Sequence, residues 1–390
     1  MIQAPGADNP KVSEHMTKSV VIIGTRGYPS YYGGFETAVR KLAPFLVDQG
    51  WDVTVYGRLG STKDTDPEFD RRVKTITTWG VETKSVSTLS YGLTASLDAS
   101  RKRPDVALVM NVANGYFLPL LRARGIPTLV NVDGIEWDRA KWGRFAKSVF
   151  HTGARLAARF GTRMVYDSKE IAARWRSEFG LEGEFIAYGG DVVEPLPIEP
   201  GLTHRGYVLV VARFVPENTI PEFLVAAEAL SQRWPVVIVG SSGYGGLLEE
   251  QARALSNSAP NVRWLGHLSD DRRLLSLWQH AGVYFHGHSV GGTNPTLVQA
   301  MATETPIVAR DTPYNREVLG NHGMFCDPTP EHITAAISTL MSDPALQEEQ
   351  GAALFVRSRE SYTWEGVCQA YDSALTRLVQ DSHRKRYRSR

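Results

Sequence analysis

The segment richest in chemistry is His288-Ser289-Val290-Gly291-Gly292-Thr293-Asn294-Pro295, continued by Thr296-Leu297-Val298-Gln299-Ala300-Met301-Ala302. Two adjacent glycines let a ligand approach the main chain, Asn294 is a favoured N-cap, and Pro295 suits the first helical position. A glycine loop that runs into a helix presents unpaired N–H groups and the positive end of the helix dipole. It reads as an anion cradle, most naturally for a phosphate. The apolar run from Gly282 to His286 just before it reads as the strand that holds the loop at a sheet's end. His286 and His288 alternate along that strand and share a face. No third ligand accompanies them, so no metal site is expected, and His288 reads as a hydrogen-bonding residue of the cleft.

Three further segments carry candidate groups. Gly24-Thr25-Arg26-Gly27 through Tyr32-Gly33-Gly34-Phe35-Glu36 follows the first strand and opens the first helix. Gly33 and Gly34 would admit a phosphate or a sugar to the backbone, although an ordinary strand-to-helix turn has the same composition. The spacing is not the dinucleotide fingerprint. The second strand ends in Tyr56-Gly57-Arg58 with no acidic residue for an adenine ribose, which argues against a nicotinamide enzyme. Asn131-Val132-Asp133-Gly134-Ile135-Glu136-Trp137-Asp138 follows another apolar strand, so Asp133 stands at a strand's carboxyl end. There Asp133 and Glu136 are candidates for a base and a sugar-hydroxyl ligand, with Trp137 and Trp142 as stacking surfaces. The alternative is an N-cap at Asp133 or Asp138 and two core tryptophans. Ala212-Arg213-Phe214-Val215-Pro216-Glu217-Asn218 places an arginine where a bidentate contact to a diphosphate would be useful; the alternative is a surface ion pair.

Positioning these groups requires an alternating scaffold, and the sequence has one. Short β-branched runs at Ser19–Gly24, Asp52–Gly57, Val73–Thr78, Val106–Met110, Thr128–Val132 and Arg163–Tyr166 are separated by helical patterns such as Glu36–Gln49. A second series follows at Tyr207–Ala212, Val236–Gly240, Val262–Leu265, Val283–His286, Ile307–Ala309 and Met324–Cys326. Strand and helix in alternation predict parallel sheets. The prolines at 195, 197 and 200 interrupt the pattern and mark a hinge. The expectation is an α/β chain of two doubly wound, Rossmann-like domains facing a cleft. Residues 18–195 form the first domain and 196–362 the second. A helix over 363–381 is free to cross back, residues 1–17 are a disordered leader, and 382–390 are a basic tail.

The 390 residues suit two cores, and 42% apolar with 22% charged residues and a net charge of +1 describe a water-soluble globular profile. Two cysteines give neither a disulfide framework nor a metal spacing, which favours a cytoplasmic setting. No apolar run is long enough to span a membrane. Basic clusters lie at Arg101-Lys102-Arg103, along Arg139 to Arg163, and at His383 to Arg390. They read either as solvated faces or as a docking surface for an anionic membrane, with no nucleic-acid motif beside them.

Taken in order, Gly24-Thr25-Arg26-Gly27, Tyr32-Gly33-Gly34-Phe35-Glu36, Asn131 to Trp137, Arg213 to Asn218, His288 to Pro295 and Asn315-Arg316-Glu317-Val318 resemble the retaining GT-B glycosyltransferases of family four. The resemblance runs from about Ser19 onward. Its strongest form is to bacterial polysaccharide rhamnosyltransferases whose N-terminal domain was long of unknown function. It implies a nucleotide sugar, linked to dTDP or UDP, bound mainly by the second domain. A saccharide or lipid-linked saccharide acceptor would lie in the first, in contact with Tyr32, Glu36, Glu136 and Trp137. Arg213 and Asn218 would serve the diphosphate with Gly33, Gly34, Gly291, Gly292, Thr293 and Asn294, and Gln299 would face the ribose. Asp133, Arg213 and His288 would take part in catalysis, without metal or cofactor, in a monomer or dimer at the inner face of the cell membrane.

Two departures qualify the resemblance. The wider family carries two glutamates seven residues apart where this chain has Gly291 and Gln299. It also carries a lysine near the place of Asn218. A missing ribose carboxylate suits a deoxyribose nucleotide such as dTDP-rhamnose. A transferase using UDP-glucose or a GDP-sugar, and a non-catalytic sugar-nucleotide-binding protein, are the alternatives.

Overall fold

The computed structural model describes residues 17–388 apart from 32, 63–64, 82–86, 140–141 and 244. The residues named above as a leader therefore lie almost wholly outside the described residues, as does Tyr32. The first domain is built on a parallel sheet of seven strands: β1 (Ser19–Ile23), β2 (Asp52–Gly57), β3 (Lys74–Thr77), β4 (Val106–Met110), β5 (Thr128–Asn131), β6 (Arg163–Tyr166) and β7 (Glu184–Phe185). Their order is β3-β2-β1-β4-β5-β6-β7. The second sheet has six parallel strands: β8 (Val208–Val211), β9 (Val236–Val239), β10 (Val262–Gly266), β11 (Val283–His286), β12 (Ile307–Arg310) and β13 (Met324–Cys326), in the order β10-β9-β8-β11-β12-β13. The expected GT-B architecture of two parallel α/β domains is the one observed.

Successive side chains of a strand point to opposite faces, and both faces here are covered. Val20 and Ile22 join one core while Val21 and Ile23 join the other. Val208 and Val210 are likewise separated from Leu209 and Val211 in the second domain. That is why these strands read as unbroken apolar runs rather than as alternating ones.

The strand order reverses between β1 and β4 in one sheet and between β8 and β11 in the other. Loops leaving the carboxyl ends of such neighbours diverge and open a crevice. The four loops concerned contain Gly33, Asn111, Arg213 and Gly291.

The chain crosses between domains twice. The Gly190 N–H donates to the Tyr362 carbonyl at 2.9 Å, and Gly190 bridges Thr363 in parallel fashion, so the two crossings lie side by side. The last helix runs Trp364–Arg388, longer than the expected 363–381 and including most of the basic segment read as a tail. Its Val367, Cys368, Tyr371, Ala374, Leu375, Leu378 and Val379 are buried in the core of the first domain. The Trp51 indole donates to Asp372 at 2.6 Å and Asn131 Nδ2 to the Tyr371 hydroxyl at 2.7 Å.

Candidate active site

The glycine loop folds as its sequence predicts. The Pro295–Ala302 helix starts at an extended Asn294 whose side chain accepts from the Thr296 N–H at 3.0 Å. Gly291 has φ +106°, a conformation that L side chains rarely adopt, so glycine is required there. Opposite stands the first helix, Gly34–Asp48, entered from an extended Gly33. A Cβ on Gly34 would lie 3.3 Å from Pro295 Cγ and 3.3 Å from the Tyr188 hydroxyl. The N-termini of two helices from different domains thus meet, and their dipoles favour negative charge at the junction.

Gly134 of the first domain touches Gly291 of the second, since a Cβ on Gly134 would lie 3.3 Å from Gly291 Cα. Asp167, just beyond β6, closes the contact further along. Its carbonyl accepts from the Thr293 N–H at 3.3 Å and from the Thr293 hydroxyl. A Cβ on Gly292 would fall 1.9 Å from Asp167 Oδ1, so only glycine fits under that carboxylate. The Ser289 N–H donates to the Glu217 carbonyl at 2.9 Å, and Asn315 Nδ2 donates to the His288 carbonyl at 2.9 Å, which fixes the loop from below.

His288 is held by a short relay. Asn218 Nδ2 donates to the Arg213 carbonyl at 2.8 Å, which turns Asn218 Oδ1 toward His288 Nδ1. Nδ1–H therefore donates to Asn218. Burial, then the neighbouring His286, Arg139 and Arg213 charges, hold the imidazole far below its usual pKa, against a main-chain contact to Val290. A neutral ring of that tautomer turns an unprotonated Nε2 to the site, 3.4 Å from where a Cβ on Gly291 would be. His286 is bonded to the Tyr284 hydroxyl at 3.0 Å, and burial lowers it to about 3. Arg213 itself is exposed at the mouth.

Asp133 has φ +61°, its N–H donates to Asn131 Oδ1 at 3.0 Å, and Asn111 Nδ2 lies 3.5 Å from its Oδ2. A residue held in that sparsely populated conformation at a strand end is a frequent mark of a site. Glu136 is buried between Arg139 Nε at 2.7 Å and the Trp142 indole N–H at 2.7 Å. It shapes the loop instead of standing open to an acceptor. Trp137 is not a stacking surface in the cleft: it is 8% exposed and packs among His151, Trp175 and Phe179. Glu36 Oε1 accepts from the Arg26 N–H at 3.2 Å and so ties the first glycine loop to its own helix. Gln299 is engaged at both ends. Its Nε2 donates to the Asp191 carbonyl at 2.8 Å and its Oε1 accepts from the Asp191 N–H at 2.9 Å.

The fold brings to this cleft three residues to which the sequence reading gave no site role: Arg139, noted as part of a basic cluster, Glu317, noted as part of a motif, and Asp167. The Arg139 guanidinium lies with Nη2 3.5 Å from the Cβ direction of Gly291. Burial opposes its charge, but Glu136, Asp133, Glu217 and Asp167 together outweigh burial and raise its pKa. Asp167 is 3% exposed. Burial first, then Asp133 and Glu317, hold its carboxyl far above the ordinary range, against the pull of its own main chain and of Arg139. Glu317 accepts from the Lys169 and Glu170 N–H groups across the domain boundary. Asp167 was findable: like Asp133 it follows a buried strand, and Ser168 after it is a helix N-cap.

Comparison with known proteins accords with this geometry. Residues 199–354 match the family described as glycosyl transferases group 1, and residues 17–191 match a domain of unknown function, DUF1972. An O-antigen chain mannosyltransferase B from Escherichia coli is 24% identical over 169 residues, which are 42% of this chain and 44% of the relative. The alignment thus spans less than half of either protein. Sucrose-phosphate synthase from Thermosynechococcus elongatus superposes with a TM-score of 0.77 at 18% identity, over 93% of this chain and all (100%) of that one. Anabaena HepE in complex with UDP-glucose does so with a TM-score of 0.69 at 13% identity, over 92% and 99%. At these identities the structural likeness carries the fold alone. Of the two family matches, the one over residues 199–354 is described by an activity and the one over residues 17–191 is not.

Proposed function

We propose that the cleft binds a nucleoside-diphosphate sugar and transfers the sugar to a hydroxyl of a saccharide or lipid-linked saccharide, with retention of configuration. The leading donor is dTDP-rhamnose. The observation that carries this reading is the meeting of two helix N-termini at Gly34 and Pro295, with Arg139 beside Gly291 and Arg213 at the mouth. Cationic ends and guanidinium groups at one point suit a diphosphate more than any neutral ligand.

In the reaction the bond from the anomeric carbon to the phosphate oxygen breaks as a bond to the acceptor oxygen forms on the same face. The acceptor proton passes to the leaving phosphate oxygen. Charge accumulating on the diphosphate is met by Arg213 and by the Pro295–Ala302 helix, fixed in place before the reaction starts. Asp133 orients the acceptor hydroxyl, and His288 Nε2 accepts a hydrogen bond from the donor. The bonds from the Thr293 N–H and hydroxyl to the Asp167 carbonyl keep the domains shut and water out.

Base preference follows from Gln299. With both amide ends on Asp191 it has little to offer a ribose diol, which favours a deoxyribose nucleotide. UDP-glucose and GDP-sugars are the competing donors. Titration calorimetry with dTDP, UDP and GDP tests the order, and a clear preference for UDP would overturn the dTDP assignment.

An anionic membrane is the proposed site of the acceptor. The Arg144–Phe160 helix exposes Arg144, Arg155 and Arg159, with Phe145 84% exposed at its start. Basic residues around an exposed aromatic ring suit a lipid headgroup layer. No helix among the described residues is long and apolar enough to cross a membrane. Sedimentation with phosphatidylglycerol vesicles should show binding that survives deletion of 383–390 and weakens in Phe145→Ser.

A further inference from the structure

Gln299 makes two hydrogen bonds that a carboxylate would not make together. Its Nε2 donates to the Asp191 carbonyl at 2.8 Å while its Oε1 accepts from the Asp191 N–H at 2.9 Å. A side-chain amide carries both a donor and an acceptor and so pairs with a residue's main chain as a neighbouring strand would. A glutamate would accept from the N–H, but its second oxygen would face the carbonyl oxygen.

Asp191 stands on the first crossing between the domains. A Cβ on Gly190, just before it, would fall 2.7 Å from Ala302 Cβ and 2.9 Å from the Val298 carbonyl oxygen. The crossing is thus laid along the Pro295–Ala302 helix, whose N-terminus forms the anion cradle. The Asp191 carboxylate turns the other way and accepts from Lys41 Nζ at 2.8 Å. Lys41 belongs to the Gly34–Asp48 helix. One crossing residue therefore holds both of the helices whose N-termini meet at Gly34 and Pro295.

The proline segment that follows is bound along its length to the second domain. Gln279 Oε1 accepts from the Leu196 N–H at 2.8 Å, His280 Nε2 donates to the Leu196 carbonyl at 2.7 Å, and Ser276 Oγ donates to the Pro197 carbonyl at 2.5 Å. Arg273 pairs with Glu199 at 2.6 Å. All four side chains come from one side of the Asp271–His280 helix. Ahead of Asp191 stand Gly189 and Gly190, next to the second crossing at Tyr362 and Thr363.

We propose that Gln299 is a positioning residue: it locks the first crossing to the cradle helix, so that the domains pivot at Gly189 and Gly190 and a ligand's pull on the cradle is passed to the hinge. From Asp191 onward the crossing then moves with the second domain. Gln299 acts in closure and not in holding the nucleotide. The proposal takes its ligand from the nucleotide-sugar reading of the cleft, whereas the lock itself is read without ligand.

The test compares Gln299→Met, Gln299→Glu and Lys41→Met with wild type in the full chain. Hydrogen exchange of the free protein reads closure at two amides bonded across the boundary, Thr293 to the Asp167 carbonyl and Lys169 to Glu317. Both should exchange about tenfold faster in Gln299→Met, as the loss of two ordinary hydrogen bonds implies, with β9 unchanged. Gln299→Glu should be no better than Gln299→Met, because a carboxylate oxygen faces the Asp191 carbonyl. Lys41→Met, which cuts only a half-exposed ion pair, should move the same amides by a smaller factor. In turnover, kcat should fall about tenfold in Gln299→Met, while Kd for the nucleoside diphosphate that the wild type binds most tightly stays within about threefold.

Unchanged exchange at Thr293 and Lys169 in Gln299→Met, or wild-type behaviour of Gln299→Glu, would overturn the lock. A nucleoside diphosphate bound about tenfold more weakly by Gln299→Met would overturn it as well, by returning Gln299 to the nucleotide. If Gln299→Met loosens β9 equally, the decision passes to Lys41→Met, whose unchanged exchange at Thr293 and Lys169 would overturn the lock. A wild type that binds no nucleoside diphosphate would overturn the reading of the cleft and leave the exchange results to decide the lock alone.

Discussion

Glu317 of the second domain caps a helix of the first. Its carboxylate accepts from the Lys169 N–H at 2.8 and 3.0 Å and from the Ser168 hydroxyl at 2.9 Å, at the start of the Lys169–Phe179 helix. A negative group is favoured at a helix N-terminus, so helix capping here also holds the domains together. Glu317→Ala should cost about 1 kcal/mol of stability, the usual worth of a cap. Hydrogen exchange at Lys169 and Glu170 should quicken while exchange in β9 is unchanged. Unaltered protection at those two amides would dismiss the latch.

Gly292→Ala places a Cβ 1.9 Å from Asp167 Oδ1, whereas a Cβ on Gly143 meets nothing within 4 Å among the described residues. The first substitution should hold the cleft open, with a larger radius of gyration by X-ray scattering. Transfer activity should fall about a hundredfold, the scale expected when reacting groups are displaced by an ångström. Gly143→Ala should match wild type in both measurements.

Asn218→Ala removes the acceptor that sets the His288 tautomer. The loss of one ordinary hydrogen bond corresponds to about 0.5–1.5 kcal/mol, or roughly 2- to 13-fold in kcat/KM. Asp133→Asn is expected to lower kcat/KM with little change in nucleotide binding. Unchanged kcat/KM would remove Asp133 from the reaction.

The buried histidines make stability fall in acid. His286 has a folded pKa of about 3 against an ordinary value of 6.5, and His288 is lowered too. Between those limits the unfolded chain binds more protons, so stability is lost as pH falls below 6.5, by at most about 1.4 kcal/mol per pH unit for each group. Asp167 has the opposite sign: its folded pKa is raised, so its contribution is present below the unfolded value and is lost as pH rises through the folded one. His286→Asn should flatten the fall of Tm between pH 6.5 and 5. Asp167→Asn should remove a loss of stability that begins as pH rises above the ordinary carboxylate value of 3.8.

How far the sequence reveals this molecule differs between scaffold and site. Runs such as Val106–Met110, buried on both faces, announce parallel strands because nothing else explains five apolar residues between breakers. β7, two residues long at Glu184–Phe185, has no pattern to read. The glycine loop was legible through its N-cap and proline. Trp137 was not, because a tryptophan two positions from a site loop looks the same whether it faces the cleft or the core. Gln299 was assigned toward the nucleotide, yet its partner Asp191 is 108 residues away, and no local rule predicts such a pairing. Arg139 becomes a site residue only when one domain is laid against the other, whereas Asp167 could have been read from its place at a strand end before a helix N-cap.

Tyr371→Phe should cost about 1–3 kcal/mol, because it leaves Asn131 Nδ2 buried without its acceptor. Asn131 also receives the Asp133 N–H, so the change should reach the cleft and lower kcat. A variant of normal stability and activity would show that the C-terminal helix is uncoupled from the Asp133 loop.

That same helix has a consequence for biogenesis. Residues 367–379 complete the core over β4 and β5, so the first domain is finished only after the second has been made. Until Val379 emerges, apolar surface at Leu108 and Leu129 lacks its cover and is open to association with other nascent chains. The second domain, whose core draws on residues 187–362, has everything it needs sooner. Domain maturation therefore runs against the order of synthesis, and a ribosome stalled between residues 362 and 367 would leave one finished domain and one adhesive one.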